Sequence, residues 1–184
     1  MNGYEPQKPL TAGEMQRILF SHYLRSDIII CPNTEAIGWE ADLVVVQPTD
    51  YVAEIEIKIS RSDFKADFKK EIKHQQLAGG GRTHWRGGPN QFFYAVPAGM
   101  VRLDEVPAYA GLIYVHAPAG YGPEYHRAEV MRAAPRLHTR KADTKLLRRI
   151  TRSLMYKTFS CGLWEQPEHA ALAWQPEEEE VAHD

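Results

Sequence analysis

WEADLVVVQPTDYVAEIEIKISRSDFKADFKKEIKH, residues 39–74, is the stretch on which the reading of this chain turns. Over residues 53–59 apolar side chains at Ala53, Ile55, Ile57 and Ile59 fall on one side of an extended chain. Glu54, Glu56 and Lys58 fall on the other, the two-residue period of a strand. Residues 41–46, ADLVVV, read as a second strand. Pro48-Thr49-Asp50 between them is turn chemistry, because proline presets its own φ and aspartate bonds its own backbone. A three-residue loop over 48–50 pairs Gln47 with Tyr51 in an antiparallel hairpin. Asp42 then lies opposite Glu56, Val44 opposite Glu54, and Glu40 opposite Lys58. Two carboxylates face to face repel unless a proton or a cation lies between them. A hard divalent cation such as Mg²⁺ meets that need with one or two carboxylates, water and phosphate oxygen completing its shell.

The flanks supply the rest of a small α/β domain. Residues 11–25 predict a helix with Thr11 as N-cap and a buried stripe of Met15, Ile18, Leu19 and Tyr23. Glu14 either closes the capping box with Thr11 or reaches the cation site from the helix, the cap being favoured. Residues 27–31, DIIIC, read as a short strand buried on both faces, and 31–39 as a loop into the hairpin. After the hairpin one helix is expected over 61–76, capped by Ser60, with Phe64, Phe68 and Ile72 facing the core. Its outer surface would carry Arg61, Lys69, Lys70 and Lys73, which suit a phosphate backbone. The glycine-rich run LAGGGRTHWRGGPN, residues 77–90, places Arg82 and Arg86 around a tryptophan, charge beside a stacking face. Strands follow at 91–97 and 111–116. A basic helix is expected over 139–159, with Leu146, Leu147, Ile150, Leu154 and Met155 inward.

At 184 residues the chain suits one domain, expected over residues 1–160, with 161–184 as a flexible acidic tail. That tail holds seven acids and no Lys or Arg, so the first 160 residues carry 22 basic against 17 acidic side chains, a net of +5. A basic body suits a polyanionic partner, while blocks of like charge such as the tail are most often only solvated. Cys31 and Cys161 lie far apart, without zinc-ligand spacing. There is no leader-like N-terminus and no apolar run of membrane-spanning length, so no membrane partner and a cytoplasmic setting are expected.

The order helix, strand, strand with Asp42, strand with Glu56-Ile57-Lys58, helix, strand resembles the PD-(D/E)xK nuclease superfamily. EIKISRSDFKADFKK (56–70), then QFFYAVP (91–97) and VPAYAGLIYV (106–115), is similar to the MmcB-like DNA-repair endonucleases and related phage nucleases. The likeness spans residues 35–157. It departs from the pattern in having Ala41 before Asp42 and in the glycine-rich insertion at 77–90. It implies a restriction-endonuclease-like αβββαβ core, a mixed central sheet flanked by helices. It further implies a nuclease acting on DNA, in repair or phage DNA metabolism, alone, as a homodimer or with a repair or phage protein partner. Asp42 and Glu56 would hold one or two Mg²⁺ (or Mn²⁺) ions, with the carbonyl of Ile57 as a further ligand and Lys58 completing the catalytic set. Glu40 would tune Lys58 or serve a second metal, and products would carry a 5′-phosphate. The alternative is a non-cleaving DNA-binding accessory module on the same fold. Glycoside hydrolysis by the paired acids fits worse, since Lys58 and a basic surface suit phosphate rather than sugar.

Overall fold

The computed structural model describes residues 9–80, 88–117 and 127–161. In chain order it forms α1 (Ala12–Tyr23), β1 (Ile29–Thr34), β2 (Ala41–Val46), β3 (Val52–Ile57), α2 (Arg61–Asp67) and α3 (Glu71–Ala78). These are followed by β4 (Gln91–Pro97), a 3₁₀ turn (Leu103–Glu105), β5 (Ala110–His116), β6 (Arg127–Arg132) and α4 (Thr144–Ser160). The six strands make one open sheet in sequence order. β1, β2 and β3 are antiparallel, β3, β4 and β5 parallel, and β6 closes the far edge antiparallel to β5. This is the mixed sheet flanked by helices that the αβββαβ pattern implies.

The β2–β3 hairpin has the expected register, with Leu43 opposite Ile55 and Val44 opposite Glu54. Its loop closes by Gln47 N–H donating to the Tyr51 carbonyl at 2.8 Å and Asp50 N–H to the Gln47 carbonyl at 2.8 Å. Asp50 takes φ 64°, the left-handed position that Asp tolerates better than most residues. Alternation then divides the sheet's faces. Leu43, Val45, Ala53, Ile55 and Ile57 meet Met15, Ile18 and Leu19 of α1. On the opposite face Cys31, Val44, Val46 and Val52 meet Leu146 and Ile150 of α4. Further along that second face Phe92, Tyr94, Val96 and Leu112 meet Phe64 of α2 and Leu77 of α3.

Three expectations are corrected. β1 runs on to Thr34 and pairs with β2, so Cys31–Thr34 is strand rather than loop, with Pro32 tolerated because β1 is an edge. The helix expected over 61–76 is two helices. After Asp67 the chain makes a 3₁₀-like turn, Lys69 N–H to Ala66 C=O and Lys70 N–H to Asp67 C=O, and Lys70 leaves helical geometry at φ −79°, ψ 59°. The break turns α3 about its axis, so Lys73 and Leu77 face inward and Ile72 faces solvent, 73% exposed. α4 starts at Thr144 rather than Thr139, because Asp143 accepts from Leu146 N–H at 2.8 Å and caps it there, and Met155 lies outside the core. β6 had no counterpart in the sequence reading. The tail expected at 161–184 lies outside the described residues from 162 onward, and the run at 77–90 is described only in part. Among the described residues no helix is long and apolar enough to cross a membrane.

Candidate functional site

Glu54 and Glu56 sit on the face of β3 that the helices cover, between the cluster under α4 and the one under α2 and α3. Both are buried, at 0% and 3% exposure. A carboxylate there must find cations or lose its charge. The segment that follows supplies them. Lys58, one residue past β3, lies 2.8 Å from Glu56 Oε1 and 3.0 Å from Asp67 Oδ1. Lys70, from the break between α2 and α3, lies 3.0 Å from each of those two oxygens. Lys73 reaches down from α3 to Glu54 Oε1 and Glu56 Oε2, both at 2.7 Å. Trp39 Nε1–H donates to Glu54 at 2.8 Å, and the Tyr94 hydroxyl donates to Asp67 Oδ2 at 2.8 Å.

Asp42 stands at the start of β2, where its Oδ2 accepts from Ile57 N–H at 2.7 Å. Its main-chain carbonyl accepts from Gln16 Nε2 at 2.8 Å, which also donates to Asn33 Oδ1 at 2.9 Å and so ties α1 to β1 and β2. Asp42, Glu56, Ile57 and Lys58 share one open recess of about 470 Å³, walled by Gln16 and the start of α1, by Glu40, and by Lys70.

Electrostatics divide the acids. Burial pushes Glu54 up to about 7 against the pull of Lys73. Burial acts on Glu56 too, but Lys73 and Lys58 outweigh it and hold the carboxyl below its ordinary value. Asp67, also desolvated, is held well below the carboxylate range by Lys70, Lys58 and Tyr94. Asp42 is raised, by burial first and by Glu56 second. Lys58 and Lys73 stay above their ordinary value despite burial because each lies between two carboxylates. With Asp63, 3.8 Å from Lys58, five acids thus face three lysines, and Asp42 forms an ion pair with none of them. The donor set suits a hard cation: two carboxylates, Asp42 and Glu56, and the carbonyl of Ile57 at one recess. Among the described residues no cluster of three or more His, Cys, Asp or Glu side chains forms a metal cage, which a two-carboxylate Mg²⁺ site does not require.

The remaining sequence candidates separate. Glu14 closes the capping box, its carboxylate accepting from Thr11 N–H at 2.8 Å and the Thr11 hydroxyl at 2.7 Å. Glu40 is exposed at the rim of the recess. Arg61 donates to Met100 O at 2.6 Å and pairs with Glu105, so it braces the β4–β5 connection. Lys69 is exposed. Lys70 is half-buried in the acid cluster, and Lys73, expected on the surface, is 6% exposed and already committed to two carboxylates. That corrects its assignment to a phosphate backbone. Arg82 and Arg86 lie outside the described residues. Sequence reasoning left Asp67 out of the candidate site, and it left Glu54 out as well. For Glu54 the available signal was its place beside Glu56 on the polar side of a strongly apolar strand; Asp67, one acid among several on a charged helix, carried none.

No family model matches the chain, and no curated protein matches it. Among solved structures, the SPO1766 protein of unknown function from Silicibacter pomeroyi is similar to it with a TM-score of 0.56 and 22% identity, over 90% of this chain and 99% of that one. A likeness at that identity concerns the fold: the sheet and its helices recur in a second protein.

Proposed function

We propose that this chain is a metal-dependent nuclease that hydrolyses phosphodiester bonds of DNA, in the cytoplasm, in repair or phage DNA metabolism. The observation that carries the reading is the meeting of Asp42, Glu56 and Lys58 at one recess open to solvent. Asp42 and Glu56, with the Ile57 carbonyl, would hold Mg²⁺ or Mn²⁺, which supplies the Lewis acidity that phosphodiester hydrolysis draws on. The protein's own groups do the positioning. Ile57 N–H fixes one oxygen of the Asp42 carboxylate at the recess. Glu56 and Asp67 hold Lys58 as an ammonium, so it serves as a fixed positive charge for the phosphoryl oxygens rather than as a base.

The test is incubation of supercoiled and linear DNA with the protein in Mg²⁺, Mn²⁺ or EDTA. Nicking with either metal and none in EDTA is expected; no cleavage of any DNA under all three would sink the reading. One feature favours the binding-only alternative, namely that both Glu56 oxygens are already engaged by lysines. It also gives a measurable consequence. A cation at Glu56 competes with Lys70, the half-exposed member of the set. Lys70→Met should therefore tighten Mn²⁺ binding about fivefold by calorimetry, the equivalent of about 1 kcal/mol for a half-exposed pair. Unchanged or weaker binding would remove Lys70 from the site.

A further inference from the structure

At the end of β3 remote from the acid recess lies a second cavity, of about 170 Å³, roughly six water molecules' worth of space. Arg140, Lys141, Lys145 and Arg149 line it around Val52 and Asn90. Asp143 lines it as well, 3.4 Å from Arg140, and Asp50 lies 3.8 Å from Lys141. Lys145 is exposed and has no hydrogen-bond or ion-pair partner among the described residues. Asn90, 1% exposed, holds the floor by accepting from Val52 N–H and donating to the carbonyls of His138 and Arg140. The charge continues along α4, whose 17 residues contain Lys145, Arg148, Arg149, Arg152 and Lys157 and no acid. Beside the cavity the Tyr51 ring lies under the Arg136 guanidinium at 4.0 Å, with Lys141 at 5.8 Å. Cations interleaved with an aromatic face suit a nucleic-acid strand better than an acidic peptide, which has no bases to stack.

We propose that this basic cavity and the adjoining face of α4 hold the phosphates of a nucleic-acid strand at a distance from the acid–lysine recess. The identity of the strand as substrate rests on the nuclease reading; the anion site does not. Val52 and Lys58 are six residues apart along β3, about 20 Å at a strand's rise. At about 3.4 Å per stacked nucleotide, a strand reaching both ends must be about six nucleotides long, and longer where it passes over the helices.

The test is fluorescence anisotropy in EDTA, so that no strand is cut, with labelled single strands of 4, 8, 12 and 16 nucleotides and the matching duplexes. Affinity is expected to rise between the 4-mer and the 12-mer. Lys141→Glu/Lys145→Glu, both exposed positions, should bind the 12-mer at least about tenfold more weakly, with the slope of log K against log salt shallower by about 1 to 2. Lys145→Arg should behave as wild type. Unchanged affinity and slope in the double variant would overturn the proposal. So would a wild type that binds no oligonucleotide, or a variant defect confined to binding of poly-glutamate. Metal-dependent cleavage is scored separately. Its absence with length-dependent binding intact rejects the nuclease reading alone, and its presence with a silent double variant rejects the anion site alone.

Discussion

Lys73→Met will lower the melting temperature by roughly 10 °C at pH 8. The ammonium removed is 6% exposed and lies 2.7 Å from an oxygen of each of two buried glutamates. Removing one partner of a buried pair costs about 3–5 kcal/mol, because the other charge stays buried. For a domain of this size that is about 2–4 °C per kcal/mol. The loss should depend on pH in a set direction. Glu54 already sits near 7 in the folded chain, and without Lys73 it moves higher still, while its unfolded value stays ordinary. A group whose folded value is raised contributes stability that is present below its unfolded value and lost as pH rises through the folded one. The variant should thus regain part of its deficit as pH falls from 8 towards 5, and Glu54→Gln/Lys73→Met should regain part of it at pH 8 as well. A melting temperature for Lys73→Met that does not rise over that pH range would show that Glu54 is not the residue left exposed to the loss.

Lys58→Ala, in contrast, should leave the protein folded and stop it cutting. Lys70 touches the same oxygens of Glu56 and Asp67, at 3.0 Å each, so their charge keeps a counter-ion when Lys58 is gone. The expected loss of stability is less than half that of Lys73→Met. The expected loss of cleavage is about 10²–10³-fold, the usual cost of removing one fixed electrostatic group from a transition state. Initial rates of plasmid nicking in Mg²⁺, beside a melting curve for each variant, measure both. Cleavage within about threefold of wild type would take Lys58 out of the catalytic set. Cleavage lost together with the fold would make it a structural lysine.

The hairpin was legible because its determinants are local. A proline-led loop sets the register, and a period of two sets which side chains share a face, so Asp42 and Glu56 could be placed at facing positions from spacing alone. What lay beyond the sequence reading was the partnering of charges across the face. Phe64, Phe68 and Ile72 at intervals of four make a persuasive single helix, yet Ile72 lies in solvent. The backbone breaks at Lys70 because a continuous helix would have kept Lys73 on the outside and left two buried glutamates without it. Propensity and periodicity score each segment by its own apolar stripe, whereas here an ion cluster outweighs the stripe. β6 escaped for the opposite reason: only Ala128 of its six residues is buried, so RAEVMR carries little of a strand's apolar signal.

The same arrangement bears on the order in which the chain folds. β2 and β3 meet across a three-residue loop and can pair within about 10 μs, long before β4 returns from the far side of two helices. During that interval Glu54 and Glu56 stand on a bare strand face and keep their water. They become dry only when α3 docks and Lys73 arrives, so the lysine contacts belong to the native side of the barrier. Their strength then acts on how slowly the protein comes apart rather than on how fast it forms, and for Lys73→Met the change should fall on the unfolding limb of a stopped-flow chevron.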